Sequence, residues 1–129
     1  MAYLKPGWIT RRVFNPLAMK LNAFGTATLV VRGRTSGEER TVPVIAVELD
    51  GARYLVSTRG ESDWVRNVRA AGRVELRRKG ASESLTAVEL PVEERPPILT
   101  AYRAKAGREV EGYFKKLPDP ADHPVFRLE

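Results

Sequence analysis

The chain predicts an α+β domain built on a mostly antiparallel sheet, with a small barrel as the natural closure. Three observations predict it. β-Branched runs are separated by Gly-containing turns, hairpin dipeptides stand at Asp50-Gly51 and Lys79-Gly80, and helical spacing is confined to short stretches between and after those runs. The length of 129 residues fits one domain spanning 1–129, because a single core serves a chain of this size.

Each element follows from local chemistry. Asn15-Pro16 reads as a cap with proline at the first helical position, and Leu17, Leu21 and Phe24 then share one face. This makes residues 1–25 an N-terminal helical segment of the same domain. Thr28 to Arg32 reads as a strand, Gly33 to Gly37 as a loop, and Arg40 to Leu49 as one long extended run. Asp50-Gly51 turns that run into Arg53 to Ser57, so three consecutive antiparallel strands are expected. Trp64, Val65, Val68 and Ala71 have helical spacing, with Asp63 as cap and Gly72 as stop. Val74 to Arg78 and Ser84 to Leu90 form a second hairpin. Pro96-Pro97 opens a helix to Lys105, Gly107 separates a second one over Glu109 to Leu117, and His123 to Leu128 closes as a strand. The expectation is about six strands.

Composition removes several function classes. Cysteine is absent, so thiolate metal sites and cysteine nucleophiles are excluded, and redox chemistry must belong to a borrowed cofactor. A single histidine, His123, excludes paired-His zinc motifs and leaves one candidate imidazole base, whose place before Pro124 favours a structural role. The P-loop, Gly-x-Gly-x-x-Gly and Gly-x-Ser-x-Gly patterns are all missing. The opening residues lack the apolar run of a secretory signal, and no stretch has the length and apolarity of an integral membrane segment, so a cytoplasmic protein is expected. The net charge of +6 and the high pI favour an anionic partner without choosing its kind.

The arginines are informative by position. In Gly33 to Pro43, two glycines let the loop present backbone N–H groups, Thr35 and Ser36 offer hydroxyls, and Arg34 and Arg40 can grip phosphate or carboxylate. A glycine-bearing hairpin with a charged tip is the plainer reading of the same residues. Pro43 inside a strand marks an edge or bulge that a ligand can approach. A second anion-competent edge follows, where Ser57-Thr58-Arg59-Gly60 runs into the helix that opens at Trp64.

These blocks resemble those of the deazaflavin (coenzyme F-420)-dependent nitroreductases, small actinobacterial split β-barrel oxidoreductases. Gly33 to Pro43 is similar to the family's Gly-Arg-x-Ser-Gly-x-x-Arg-x-x-Pro signature, Ser57 to Asn67 to its segment ending in Trp-x-x-Asn, and His123 to Leu128 to its closing Pro-Val-Phe strand. The Gly60–Trp64 connection is shorter than the family's usual loop. The resemblance implies that Arg34, Thr35, Ser36, Gly37 and Arg40 hold the phosphate and oligoglutamate tail, and that Val42, Pro43 and Val44 line the ring. It also implies that Ser57, Thr58, Arg59 and Gly60 approach the deazaflavin head, while Trp64 and Asn67 shape the pocket behind it. Tyr102 and Tyr113 are nominated for the substrate side. The implied activity is hydride transfer from reduced deazaflavin to an electrophilic small molecule such as a quinone, nitroaromatic or enone, with no metal. A homodimer is compatible with it. The rival readings are an FMN-binding protein on the same fold, a non-catalytic deazaflavin carrier and, furthest away, a nucleic-acid binder using Arg77-Arg78-Lys79.

Overall fold

Asp50 (φ 52°) with Gly51 (φ 82°), and Lys79 (φ 51°) with Gly80 (φ 79°), put two consecutive residues each into the left-handed region. That is the geometry of a tight hairpin whose twist matches its strands. The computed structural model describes residues 26–129. The helix expected after Pro16 lies outside them. In chain order the described elements are β1 (Thr26–Arg32), β2 (Glu39–Ile45), β3 (Val47–Leu49), β4 (Ala52–Val56), α1 (Asp63–Ala71), β5 (Arg73–Arg78), β6 (Ala81–Glu89), α2 (Pro96–Ala106), α3 (Arg108–Lys116) and β7 (Val125–Leu128). Short 3-10 turns lie at Val92–Glu94 and Pro120–Asp122.

The strands form one seven-stranded sheet in the order β2-β1-β5-β6-β7-β4-β3, with every described pairing antiparallel. It curls as a split barrel. The extended run expected to be continuous breaks at Ala46, giving β2 and β3. β2 pairs with β1 at one edge, from Thr26 opposite Ile45 to Arg32 opposite Glu39, whereas β3 pairs with β4 at the other, Val47 opposite Tyr54. Three consecutive strands were expected, and the break divides the middle one, which places the two hairpins at opposite edges. It also accounts for seven strands in place of about six.

Side-chain alternation divides the apolar residues into two cores. Leu55 and Phe126 point to one face, into a cluster with Leu29, Val31, Val65, Val68, Leu76 and Leu85. Their neighbours Val56 and Val125 point to the other, where Ile98, Leu99 and Tyr102 of α2 and Val110 and Phe114 of α3 cover them. α1 closes one end of the barrel because Val65 and Val68 recur on one face and are fully buried. Gly72 stops this helix in the left-handed conformation (φ 73°), its N–H donating to Val68 O at 2.8 Å. Asp63 was expected to cap it. Ser62 holds the cap position instead, and its hydroxyl makes no capping bond.

Phe126 is 1% exposed and packs at 6.1 Å, tilted by 54°, against Trp64. Phe126→Ala should therefore cost about 3–5 kcal/mol in chemical denaturation, whereas Val88→Ala on the exposed side of β6 should stay within about 0.5 kcal/mol. Equal effects of the two substitutions would contradict this division of core and surface.

Candidate functional site

Sheet register brings the two arginine-bearing loops to one end of the barrel. Arg32 pairs with Glu39, Arg73 with Thr86, Glu89 with Phe126 and Val56 with Val125. The Gly33–Glu38 loop and the Ser57–Ser62 loop therefore leave the sheet at the same end, beside α1.

The first loop is closed by its own backbone. Gly33 N donates to Glu38 O at 2.8 Å, Gly37 N to Gly33 O at 2.9 Å, and Glu38 N to Ser36 Oγ at 3.1 Å. Arg32 adds a bond from Nη1 to Gly37 O at 2.7 Å. At Gly33 a Cβ would meet Ser36 Oγ at 2.9 Å and Glu38 O at 3.4 Å, so a side chain there would displace the serine hydroxyl from the turn. Gly37 is required by its positive φ of 73°.

Asn67 ties this loop to α1. Its side chain is buried, and Oδ1 accepts from Arg34 N at 3.0 Å and from Arg34 Nη1 at 2.8 Å. Arg34 also reaches Asp63, at 3.4 Å to both its carbonyl and its carboxylate. Asn67 thus acts on the loop through Arg34. Asp63, expected only as a cap, aims the same guanidinium. Trp64 is half-buried against the barrel core.

The second loop is fastened from below. Ser57 Oγ donates to Gly60 O at 2.7 Å, Ser62 N donates to the same oxygen at 2.9 Å, and Gly60 has φ 80°. Arg59 reaches across to α3, with Nη2 donating to Tyr113 Oη at 3.1 Å and its guanidinium 5.3 Å from the ring centroid. Tyr102, by contrast, is buried among the residues of α2 and α3, and burial pushes its hydroxyl well above the usual tyrosine range. Tyr113 is bonded to the loop residue Arg59, and both act electrostatically on the buried Tyr102 hydroxyl.

A charged chain that the sequence does not advertise secures the loop's far end. Glu61 is 6% exposed and receives Arg69 Nη1 at 2.7 Å, while Arg69 also holds Glu89 at 2.8 Å. Arg95, equally buried, reaches Glu89, Leu90 O and Pro120 O. The hydrogen bond from Arg69 holds the Glu61 carboxyl below the usual glutamate range. His123, the one histidine, is fully buried, so the candidate base is out of reach of a substrate.

Val42 and Val44 face the barrel core beside Leu29 and Ala27, and Pro43 lies opposite Thr28 on the outer side of that ladder. β2 is a sheet edge, where a residue without an N–H is tolerated. Thr35 and Thr58 lie in the two loops, the first exposed and the second half-buried. A groove of about 380 Å³ lined by Ala27, Ala46, Leu76, Arg53, Glu83 and Lys105 lies at the opposite barrel end. Two of its three cations are engaged, Arg53 with Glu83 and Lys105 with Ala46 O, and Arg78 is the third. Among the described residues no three His, Cys, Asp or Glu side chains gather as a metal site. No helix among them is long and apolar enough to cross a membrane.

The family model of the F-420H(2)-dependent quinone reductases matches residues 6–116, across both loops and α1 to α3. The chain belongs to that family. Similar solved structures include an F-420-H2 dependent reductase, 27% identical over 81% of this chain and 93% of the other, with a TM-score of 0.61. Another is described as a domain-swapped dimer, 26% identical over 81% and 79% of the two chains, with a TM-score of 0.60. A protein of unknown function from Agrobacterium tumefaciens, 20% identical over 97% and 58%, shares the fold with a TM-score of 0.63. No curated protein matches the chain.

The cofactor of this quinone reductase family, coenzyme F-420, carries a phosphate and a carboxylate tail, and the donor set here fits such a polyanion. Arg40 is exposed beside the Gly33 turn with no ion pair among the described residues, and the Ser36 hydroxyl and the half-engaged Arg34 lie next to it. Of the six other arginines in the strands, Arg53, Arg77 and Arg127 are paired with glutamates.

Two outcomes follow for this member of the family. Asn67→Leu leaves the Arg34 N–H without its acceptor and should lower stability in urea by about 1–3 kcal/mol, with an unchanged midpoint contradicting the bond. Because the Glu61 carboxyl is held low in the folded state, its contribution is complete above the ordinary glutamate range and is lost as pH falls through the depressed value. The stability gap between wild type and Glu61→Gln should accordingly shrink on acidification. A gap that widens would reverse the assignment.

Proposed function

We propose that this protein binds reduced coenzyme F-420 across the two loops and catalyses its oxidation by a small electrophilic acceptor, with a quinone favoured by the family and a nitroaromatic as a secondary substrate. The single observation that carries the reading is the unpaired Arg40 beside the Asn67-anchored Arg34, at the barrel end where the second loop also emerges. When bound, the cofactor supplies a hydride.

The chain's own residues bind, orient and exclude water. In this reading Arg34, Ser36 and Arg40 take the phosphate and carboxylates of the tail, with Thr35 and Gly37 at the rim. Val42, Pro43 and Val44 form the edge along which the ring lies, and Ser57, Thr58, Arg59 and Gly60 border the head. Trp64 backs the pocket, while Asn67 works through Arg34. Tyr113, bonded to Arg59, stands on the acceptor side, where its hydroxyl or a backbone N–H can stabilise developing negative charge. Tyr102 supports that wall from within. FMN, with one phosphate and no carboxylate tail, leaves part of this basic edge unused. A carrier role would share the binding residues and lack turnover.

Arg40→Ala tests the tail assignment. It should lose about 1.5–3 kcal/mol of coenzyme F-420 affinity, the range for hydrogen bonds to charged groups, and the gap from wild type should narrow as salt rises. A tail-less deazaflavin fragment should bind both proteins alike. Equal weakening of intact cofactor and fragment would overturn the role of Arg40, and absence of saturable oxidation with every quinone and nitroaromatic tried would favour the carrier.

A further inference from the structure

His123 sits where the two sides of the proposed site meet. Its ring is fully buried and stacked on Phe114 of α3, with centroids 4.2 Å apart and planes 22° from parallel. Nδ1 lies 2.8 Å from Ser57 O, the last carbonyl before the cofactor-side loop, and Nε2 lies 2.5 Å from Leu117 O, which ends the helix carrying Tyr113. Pro124 O, next in the chain, accepts from Ser57 N at 3.0 Å, so the base of that loop is held on both of its backbone groups.

Carbonyl oxygens only accept hydrogen bonds. Each ring nitrogen meets one of the two carbonyls, and the tautomer decides which of them receives the N–H. Several of the charged groups on the elements packed around the ring have other partners. Arg103 stands 4.8 Å over the Phe114 ring and is bidentate with Glu111. Arg95 holds Glu89 and the carbonyls of Pro120 and Ala121, and Asp119 accepts from Ala121 N. Arg59, beyond Tyr113, is bonded to that hydroxyl.

We infer that His123 is a positioning residue: its ring bridges Ser57 O and Leu117 O, clamps Ser57 to Leu117 and so sets the separation between the cofactor-side loop and the acceptor-side helix. This rests on the reading above that the loop and α3 are the two sides of one site. Arg59 and Tyr113 span the same gap from the outer side, so the buried clamp fixes the spacing within which their bond forms. Because the clamp holds backbone, it acts through the loop and the helix and touches neither cofactor nor acceptor.

The chain's single histidine makes a direct test available, since its ring nitrogen resonances are unambiguous in a nitrogen-15 spectrum of the cofactor-free protein. The ring should show an N–H shielded from exchange with water, as a hydrogen bond to a buried carbonyl requires. A ring N–H that exchanges freely with water would overturn the clamp, whatever the cofactor proves to be. His123→Phe keeps the stack on Phe114 and removes both ring nitrogens, and it should raise the KM for a quinone roughly tenfold while coenzyme F-420 affinity changes less than about twofold. His123→Gln, which retains a donor, should recover part of that loss. Parallel losses of cofactor affinity and melting temperature with no separate change in KM would reduce His123 to a structural residue. Failure of the wild type to bind coenzyme F-420 would instead strike the functional reading and leave the nuclear magnetic resonance result standing.

Discussion

The break at Ala46 is the constraint on which the molecule turns. A continuous extended segment would have paired with its neighbours in sequence, leaving two long open edges with unpaired backbone groups. Interrupting it after Ile45 lets the first half bind β1 and the second half bind β4, at opposite ends of the strand order. The two edges are thereby tethered to each other by one residue, and the sheet has to curl. The carbonyl that the break removes from the ladder is taken by Lys105 Nζ at 2.7 Å, which pins α2 to the same corner. Curling in turn creates the inner core that α1 plugs and the outer core that α2 and α3 cover.

The site inherits its order from that geometry. Once β1, β4, β5, β6 and β7 share one end, two loops separated by about twenty residues of chain stand side by side, and α1 can serve both. The polar groups at this end are divided by function. Asn67, Ser57, Glu61 and Arg95 are buried and spend their hydrogen bonds on backbone or on the side chains of Arg34, Arg69 and Glu89. Arg40, by contrast, is exposed on the Gly33–Arg40 hairpin and has no ion pair among the described residues. A family whose cofactor supplies the reactive atoms asks little else of its protein than such placement.

Much of this was legible because the chain punctuates itself. Asp50-Gly51, Lys79-Gly80, Gly72 and Gly107 sit where expected, and the elements they bound differ from expectation by a residue or a few at their ends. The Gly33 to Pro43 block disclosed an anion-competent hairpin on chemistry alone. The break at Ala46 was hidden, since alanine carries no breaker signal and the choice of partner strand is tertiary. The Arg34–Asn67 bond joins residues 33 positions apart, and nothing local in either stretch announces the other. Glu61 reads as an ordinary surface acid until Arg69 and Glu89 are brought to it by the closing of the barrel. Tyr102 and Tyr113 look alike in sequence, and only the packing of α2 on α3 separates the buried one from the one that meets Arg59.

The account stands or falls on the ligand that the basic barrel end selects. Parallel titration of the purified protein with oxidised coenzyme F-420 and with FMN, at one salt concentration, measures that choice directly. The deazaflavin should bind at least about tenfold more tightly, a difference of about 1.4 kcal/mol, because its tail engages cations that FMN leaves idle. Equal affinities, or tighter binding of FMN, would contradict it.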